Sequence, residues 1–135
     1  MIMRLLAEIE SVSSFDFELK LWLASLLVLI GLAFMVAGVA RFRKAQTTID
    51  PLNPEKAEQL VVTGVFCLSR NPMYLGMALI AIAWAIYLAN PWSFIGVLGF
   101  VLFINRFQIT PEERAMDKLF GDQYAKFKAT VRRWL

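Results

Sequence analysis

The sequence predicts an all-α integral membrane protein: a helical bundle with about three transmembrane helices and a C-terminal amphipathic helix on the cytoplasmic side. Hydrophobic residues make up 59% of the 135 residues and charged residues 19%, against about 45–50% and about 25% in soluble domains. Two further observations predict this class: apolar runs long enough to form helices, and a C-terminal segment whose apolar residues recur at helical spacing. We expect a single domain over residues 1–135, and a soluble nucleotide-binding enzyme is excluded.

The first predicted span covers residues 21–40, a run of 20 residues without a charged side chain. At about 1.5 Å per residue it reaches about 30 Å, the thickness of the hydrocarbon core. A cleaved signal peptide is the competing interpretation. The run is longer than the usual apolar region of roughly 7–15 residues, the preceding segment is acidic, and Arg41-Phe42-Arg43-Lys44 follows directly. A retained helix is therefore predicted.

The second and third predicted spans, residues 73–89 and 92–106, are separated only by Asn90-Pro91. Both stretches are too long for strands, so the pattern predicts a tight helical hairpin. Trp92 at this turn and Trp22 at the start of the first span are typical of an aromatic belt at the membrane interface.

The basic residues predict the orientation. Residues 1–20 contain two Lys or Arg, residues 41–70 five, and residues 105–135 seven. Because cytoplasmic segments carry the excess of Lys and Arg, we expect the N-terminus outside, with the loop at 41–71 and the tail on the cytoplasmic face of an inner (plasma) membrane. Membrane lipids, and no nucleic acid, are the expected surroundings, and a polar ligand would lie between loop and tail.

The tail is predicted to form one amphipathic helix over residues 111–134. Its apolar residues recur at three- and four-residue intervals, and most of the charged ones lie on other faces. Such a helix lies on the membrane surface or caps the bundle. The loop at residues 45–58 is polar, contains two prolines and is expected to be irregular.

Several kinds of chemistry are excluded by residue type. Histidine is absent, so the chain cannot build a histidine metal site or a Ser-His-Asp triad. Cys67 is the single cysteine, which excludes an intrachain disulfide. We predict no metal site, and we interpret Cys67 as a passive residue.

The first motif with chemical potential is the segment at residues 70–76, which begins the second span. Asn71 suits a helix N-cap and Pro72 a first helical position, so the segment is explained in part as a helix start. Arg70 and Tyr74 are not explained in this way. Beside free N–H groups of a helix N-terminus they would suit an anionic or polar ligand.

The second motif, Thr110-Pro111-Glu112-Glu113, follows the third span and fits a capping box. Thr110 would be the N-cap, with Glu113 reaching back from the third helical position. Capping leaves Glu112 available, and carboxylates at a membrane boundary also suit a cationic ligand.

The third motif is the β-branched run at residues 60–66, which contains Gly64. Composition alone favours a packed turn. Its place directly before the Arg70 segment makes it a candidate wall of the same site.

Taken in order, LVVTGVF, SRNPMYLG, an apolar hairpin and TPEERAMDKLFGDQYAKF resemble the isoprenylcysteine carboxyl methyltransferase family and the related phospholipid N-methyltransferases. The resemblance covers residues 47–133. It implies an integral membrane methyltransferase that uses S-adenosyl-L-methionine and releases S-adenosyl-L-homocysteine. The implied cofactor-binding residues are Gln59, Leu60, Val61, Gly64, Phe66, Arg70, Asn71, Pro72, Met73, Tyr74, Glu112 and Glu113.

This sequence departs from the carboxyl methyltransferase pattern at three positions. Asn71 stands where those enzymes have histidine, as in the phospholipid enzymes, and an amide still donates and accepts hydrogen bonds. Phe66 replaces a tyrosine. Gln108 falls where an arginine receives the substrate carboxylate, and Arg106 lies about 200° away around a helix. Arg106 is the candidate for positioning an anionic acceptor, with Gln108 a second candidate for contacting the acceptor.

Four functions follow as alternatives. The first is methyl transfer to the carboxylate of a lipophilic acceptor that enters from the bilayer. The second is N-methylation of a phospholipid or another lipid amine. The third is a non-catalytic membrane protein whose motifs only cap helices. An NADPH-dependent reductase is the least favoured, because we find no phosphate-binding cluster. A partner chain that completes the site is also left open.

Overall fold

The computed structural model describes residues 2–44, 60 and 62–135, and for residues 2–15 only the backbone. All regular structure in this part of the chain is helical, which confirms the predicted class. The helices are α1 (Ile2–Lys44), a 3₁₀ turn (Gly64–Cys67), α2 (Pro72–Leu88), α3 (Ser93–Ile104), a π-turn (Asn105–Ile109), α4 (Thr110–Phe120) and α5 (Asp122–Thr130). The predicted loop at 45–58 lies outside the described residues.

Two helical stretches are long and apolar enough to cross a membrane, Asp16–Lys44 and Ser93–Phe120. The first contains the predicted span at 21–40 but belongs to a much longer helix, α1, that begins at Ile2. Helix α2 is equally apolar, yet its 17 residues reach only about 25 Å at 1.5 Å per residue, against about 30 Å for the hydrocarbon core. The structure thus supports two candidate spans, and the predicted second span, at residues 73–89, is instead a shorter apolar helix.

Helices α1 and α2 pack with their backbones in close contact. A Cβ atom at Gly31 would lie 2.7 Å from the carbonyl oxygen of Gly76, and one at Gly38 would lie 2.9 Å from Cγ of Met73. Small residues permit such close approach between helices in membranes. The crossing fixes the first turn of α2 beside the last turns of α1.

The predicted capping box at Thr110 is wrong. The chain does not begin a new helix there but continues from α3 through the π-turn into α4, and α4 has no side-chain cap. Thr110 Oγ1 instead donates to the carbonyl oxygen of Asn105 at 2.6 Å. Pro111 has no N–H, and its ring would clash with the carbonyl four residues earlier in a regular helix. The wider π-turn accommodates it without ending the helix.

The predicted single helix at residues 111–134 is also wrong. Gly121, with φ of 51° and ψ of −115°, separates α4 from α5, and the chain after Thr130 is not helical. That backbone conformation is essentially restricted to glycine. The turn folds α5 back, so that Tyr124, Phe127 and Val131 form a small buried cluster with Phe66. The tail therefore caps one end of the bundle.

Outside this cluster, large apolar side chains cover the surface of the helices. Trp22 is 75% exposed and Trp92 74% exposed. Gly96 and Gly99 have no described atom within 4 Å of a Cβ built on them, so these two glycines do not serve the close helix packing seen at Gly31 and Gly38. An apolar exterior of this kind is what a lipid environment requires.

Candidate functional site

The site is built where the start of α2, the start of α4 and the tail meet. Tyr74 lies in the first turn of α2 and Glu112 in the first turn of α4, and Tyr74 Oη donates to Glu112 Oε1 at 2.5 Å. A hydrogen bond to a carboxylate is among the strong ones. Glu112 also lines a cavity beneath this contact, and among the described residues no cation pairs with it.

Glu113 has entirely different partners from Glu112. Arg133 holds it with two hydrogen bonds, Nε to Oε1 at 3.0 Å and Nη2 to Oε2 at 2.7 Å. Arg70 Nη1 lies 3.1 Å from the same Oε1. The Glu113 side chain is 16% exposed, so two guanidinium groups compensate one half-enclosed carboxylate. The two adjacent glutamates therefore differ. Glu113 is paired with two arginines, whereas Glu112 has no cationic partner among the described residues.

Arg70 is the most enclosed cation of the site, with a side chain 12% exposed. Its Nε and Nη1 are buried and have no hydrogen-bond acceptor in the part of the chain that the structure describes. The Nη1–Glu113 contact is thus an ion pair by distance but is poorly directed as a hydrogen bond. Buried N–H groups of this kind are costly unless a partner satisfies them, and Arg70 lines the cavity.

The apolar walls of the cavity come from α1, the 3₁₀ turn and the tail. The rings of Phe42 and Phe66 meet edge to face, with centroids 5.3 Å apart. The cavity has a volume of about 80 Å³, below the roughly 300–1,000 Å³ of small-molecule sites. A larger ligand therefore requires the walls to separate. The lining residues are Phe42, Leu60, Phe66, Arg70, Asn71, Glu112, Glu113, Met116, Tyr124 and Phe127.

Tyr124 contributes a hydroxyl group to this lining. The pKa of Tyr124 is raised to about 12, first by burial and then by the nearby Glu113 carboxylate, while the Arg70 guanidinium opposes the shift. The phenol is therefore neutral at physiological pH.

Asn71 occupies the N-cap position of α2, as predicted, but its side chain makes no capping hydrogen bond. Its Nδ2 donates instead to the carbonyl oxygen of Arg133 at 3.0 Å, and its backbone N–H donates to Ser69 Oγ at 3.1 Å. The amide is thereby oriented by the tail of the chain. Only Pro72, at the first helical position, plays the predicted part of a helix start.

Seven of the predicted cofactor-binding residues meet at this site. Six line the cavity and Tyr74 reaches it through Glu112. Pro72 is buried at the helix start, Met73 packs against Gly38, and Gly64, with φ of 65°, lies against the side chain of Arg41. Gln59 and Val61 lie outside the described residues. The six lining residues are Leu60, Phe66, Arg70, Asn71, Glu112 and Glu113.

The two predicted acceptor residues lie in the π-turn. Arg106 is exposed and Gln108 is half-buried, and neither lines the cavity. The structure therefore does not bring Arg106 together with the residues predicted to bind the cofactor. Their roles toward an acceptor stay predictions.

Sequence reasoning missed five residues of the site. Met116, Tyr124 and Phe127 carried a signal, because they belong to the apolar face of the tail that needed a partner surface. Phe42 stood between basic residues and was not singled out, and Arg133 was counted only for its charge. The contact of Arg133 with Glu113 depends on the turn at Gly121, which local patterns did not predict.

The fold and the site together define a helical membrane protein with two acidic side chains and one basic side chain around a small cavity at the end of its helices. The sequence profile of the phospholipid methyltransferase family matches residues 19–123, and the chain belongs to this family. Membership supports a membrane methyltransferase.

Three individual relatives are similar to this chain. An uncharacterized protein of Haemophilus influenzae is 48% identical over 63 residues, 47% of this chain and 100% of that protein. Arabidopsis thaliana protein-S-isoprenylcysteine O-methyltransferases A and B are 27% identical over 109 residues and 24% identical over 108 residues. Each alignment covers 78% of this chain and 54% or 53% of the relative, so the chain spans about half the length of these two relatives. No solved structure matches.

Proposed function

We propose that this protein is a membrane methyltransferase that uses S-adenosyl-L-methionine. One observation carries the proposal. Glu112, which no described cation pairs, lines the same aromatic-walled cavity as Arg70, which has two buried nitrogen atoms without a hydrogen-bond acceptor among the described residues. A ligand that combines positive charge, a carboxylate and a flat apolar ring system complements all three features. Family membership supports the same activity.

The residues present fit this cofactor by chemistry. Glu112 would face its positive charges, the Arg70 N–H groups its carboxylate, and Phe42, Phe66 and Leu60 its apolar adenine. The bound cofactor supplies a methyl group activated by a positively charged sulfur. Because the cavity is small, binding requires the walls around it to separate.

The protein's own contribution is alignment and charge. Holding two reacting groups in the correct geometry can lower an activation barrier by up to about 7–11 kcal/mol. Tyr74 holds Glu112 in one orientation, and the Glu113–Arg133 pair holds the neighbouring turn. A carboxylate acceptor is already a nucleophile and needs no general base, whereas a protonated amine must first lose a proton.

For the acceptor, we propose the carboxylate of a lipophilic molecule that enters from the bilayer. The two Arabidopsis relatives support this choice, since their names specify O-methylation of isoprenylcysteine. Arg106 remains the candidate for meeting the acceptor carboxylate. An amine of a phospholipid head group is the second candidate, favoured by the name of the matching family and by Glu112, an acidic group that can receive a proton.

We further propose that the site faces the cytoplasm. The last turn of α1 carries Arg41, Arg43 and Lys44, and the contact of Gly38 with Met73 places the start of α2 at this same end. The basic end of the bundle is therefore the end that holds the cavity, as expected for the cytoplasmic side of an inner membrane.

The experiment is calorimetric titration of S-adenosylmethionine and S-adenosylhomocysteine into the protein in lipid nanodiscs. We expect saturable binding that Glu112→Gln weakens about tenfold, about 1.4 kcal/mol. Asp122→Asn, on an exposed residue of α5, is the matched control and should bind as the wild type does. Absence of binding by folded wild type would contradict the proposal. Transfer of labelled methyl to a prenylated cysteine thioether or to phosphatidylethanolamine then identifies the acceptor class.

A further inference from the structure

The segment that follows α5 returns to the start of α2 and is bound there by its backbone. Arg70 N–H donates to the carbonyl oxygen of Arg132 at 3.0 Å. Asn71 Nδ2 and Ser69 Oγ both donate to the carbonyl oxygen of Arg133, at 3.0 Å and 3.4 Å. Three consecutive residues of the site are thus held by two consecutive carbonyl groups of the tail.

The side chain of Arg133 then reaches the other wall of the site. Its two hydrogen bonds to Glu113 are the parallel pair that arginine forms with a carboxylate, which fixes direction as well as distance. Glu113 in turn lies 3.1 Å from Arg70. Arg133 therefore contacts Asn71 through its backbone carbonyl and acts on Arg70 through Glu113. Asn71 and Arg70 both line the cavity.

Charge explains why this contact matters for Arg70. Without Arg133, Arg70 would be the remaining ionic partner of Glu113 among the described residues, and a stronger pairing would turn the Arg70 guanidinium toward Glu113. With Arg133 present, both oxygens of Glu113 accept a hydrogen bond from its guanidinium, and the Arg70 Nε and Nη1 groups stay without an acceptor among the described residues.

We propose that Arg133 is a positioning residue of the cofactor site, which sets the Glu113 carboxylate and thereby keeps Arg70 available to a carboxylate ligand. The inference rests on the proposed function. Arg133 itself does not line the cavity and is not expected to touch the cofactor.

The test measures S-adenosylhomocysteine affinity by calorimetry, so that no turnover is needed. Arg133→Gln should weaken binding about tenfold, about 1.4 kcal/mol. The matched control is Arg132→Gln, because Arg132 is an exposed neighbour that meets the site through its backbone. It should bind within about twofold of wild type, a difference below about 0.4 kcal/mol.

A double-mutant cycle with Glu113→Gln separates positioning from general loosening of the tail. If Arg133 acts through Glu113, the double variant should bind no more weakly than the weaker single variant. Additive losses, or an equal loss in Arg132→Gln, would overturn the inference.

Arg133→Lys keeps the charge but cannot form the parallel pair of hydrogen bonds, and it serves if the glutamine variant does not fold. We expect it to bind several-fold more weakly than wild type. Folded lysine or glutamine variants with wild-type affinity would overturn the inference while leaving the proposed function intact. Absence of binding by wild type itself would instead overturn the proposed function.

Discussion

Tyr74 and Glu112 are 38 residues apart in sequence, yet their side chains share a hydrogen bond of 2.5 Å. The contact exists because the glycine crossing of α1 with α2 fixes one partner, and the unbroken helix through the π-turn fixes the other. It therefore depends on the relative placement of three helices. Removing the Tyr74 hydroxyl or altering the helix crossing should therefore lower the stability of the protein measurably.

Tyr74→Phe removes the hydroxyl and keeps the ring. Glu112 would lose its donor in a half-buried setting, and a buried polar group left without a partner costs about 1–3 kcal/mol. We expect a lower midpoint of thermal unfolding in detergent and weaker S-adenosylhomocysteine binding. Tyr87→Phe is the control, because Tyr87 is exposed and lies at the far end of α2. Equal effects in the two variants would contradict a specific role for the Tyr74 hydroxyl.

Gly76→Ala tests the helix crossing. Its Cβ would collide with the backbone carbonyl of Gly31 and with Met35, and overpacking of this kind costs about 1–3 kcal/mol. Gly96→Ala adds the same methyl group where no atom lies within 4 Å, and in a helix alanine is favoured over glycine by about 1 kcal/mol. The midpoint temperature of thermal unfolding should therefore be equal to or higher than wild type in Gly96→Ala and lower than wild type in Gly76→Ala. The reverse order would contradict the packing described for α1 and α2.

The two adjacent glutamates should respond differently to the same substitution. Glu113→Gln leaves Arg70 and Arg133 without a carboxylate, and breaking a buried pair costs about 3–5 kcal/mol. Since the Arg133 side chain is 35% exposed, solvent screens part of this interaction. We therefore expect a smaller loss of about 1–3 kcal/mol, the range for a buried polar group left without a partner. Glu112→Gln still accepts the hydrogen bond of Tyr74, so its stability should change little while cofactor affinity falls.

Chemical denaturation and calorimetry on both glutamate variants check this division. Glu113→Gln should move the denaturation midpoint further than Glu112→Gln does. If Glu112→Gln is the more destabilised variant and binds as wild type, the assignment of Glu112 to the cofactor is wrong.

The sequence predicted the helical class and most of the cavity because both depend on local features. Uncharged runs of helical length need no tertiary information, and the motifs around Arg70 and Glu112 are contiguous. The capping box failed because Thr110-Pro111 fits both a helix start and a π-turn, and only the continuing apolar α3 decides between them.

Contacts between distant segments could not be predicted in this way. The tail was predicted as one helix because its apolar periodicity continues across Gly121, although the positive φ at that glycine ends α4. The positions predicted for the residues after Gly121 were therefore wrong. The pairing of Arg133 with Glu113 and the packing of Tyr124 on Phe66 follow from this single backbone conformation.

The last prediction concerns Arg106, which is exposed in the π-turn outside the cavity. If it meets an acceptor carboxylate at the membrane boundary, Arg106→Gln should raise the KM for a carboxylate acceptor about tenfold or more, since an ionic hydrogen bond is worth about 1.5–3 kcal/mol. S-adenosylhomocysteine affinity should stay unchanged. Arg114→Gln, on an exposed arginine in α4, is the control for a general loss of surface charge. An unchanged KM for the carboxylate acceptor would remove Arg106 from the acceptor site.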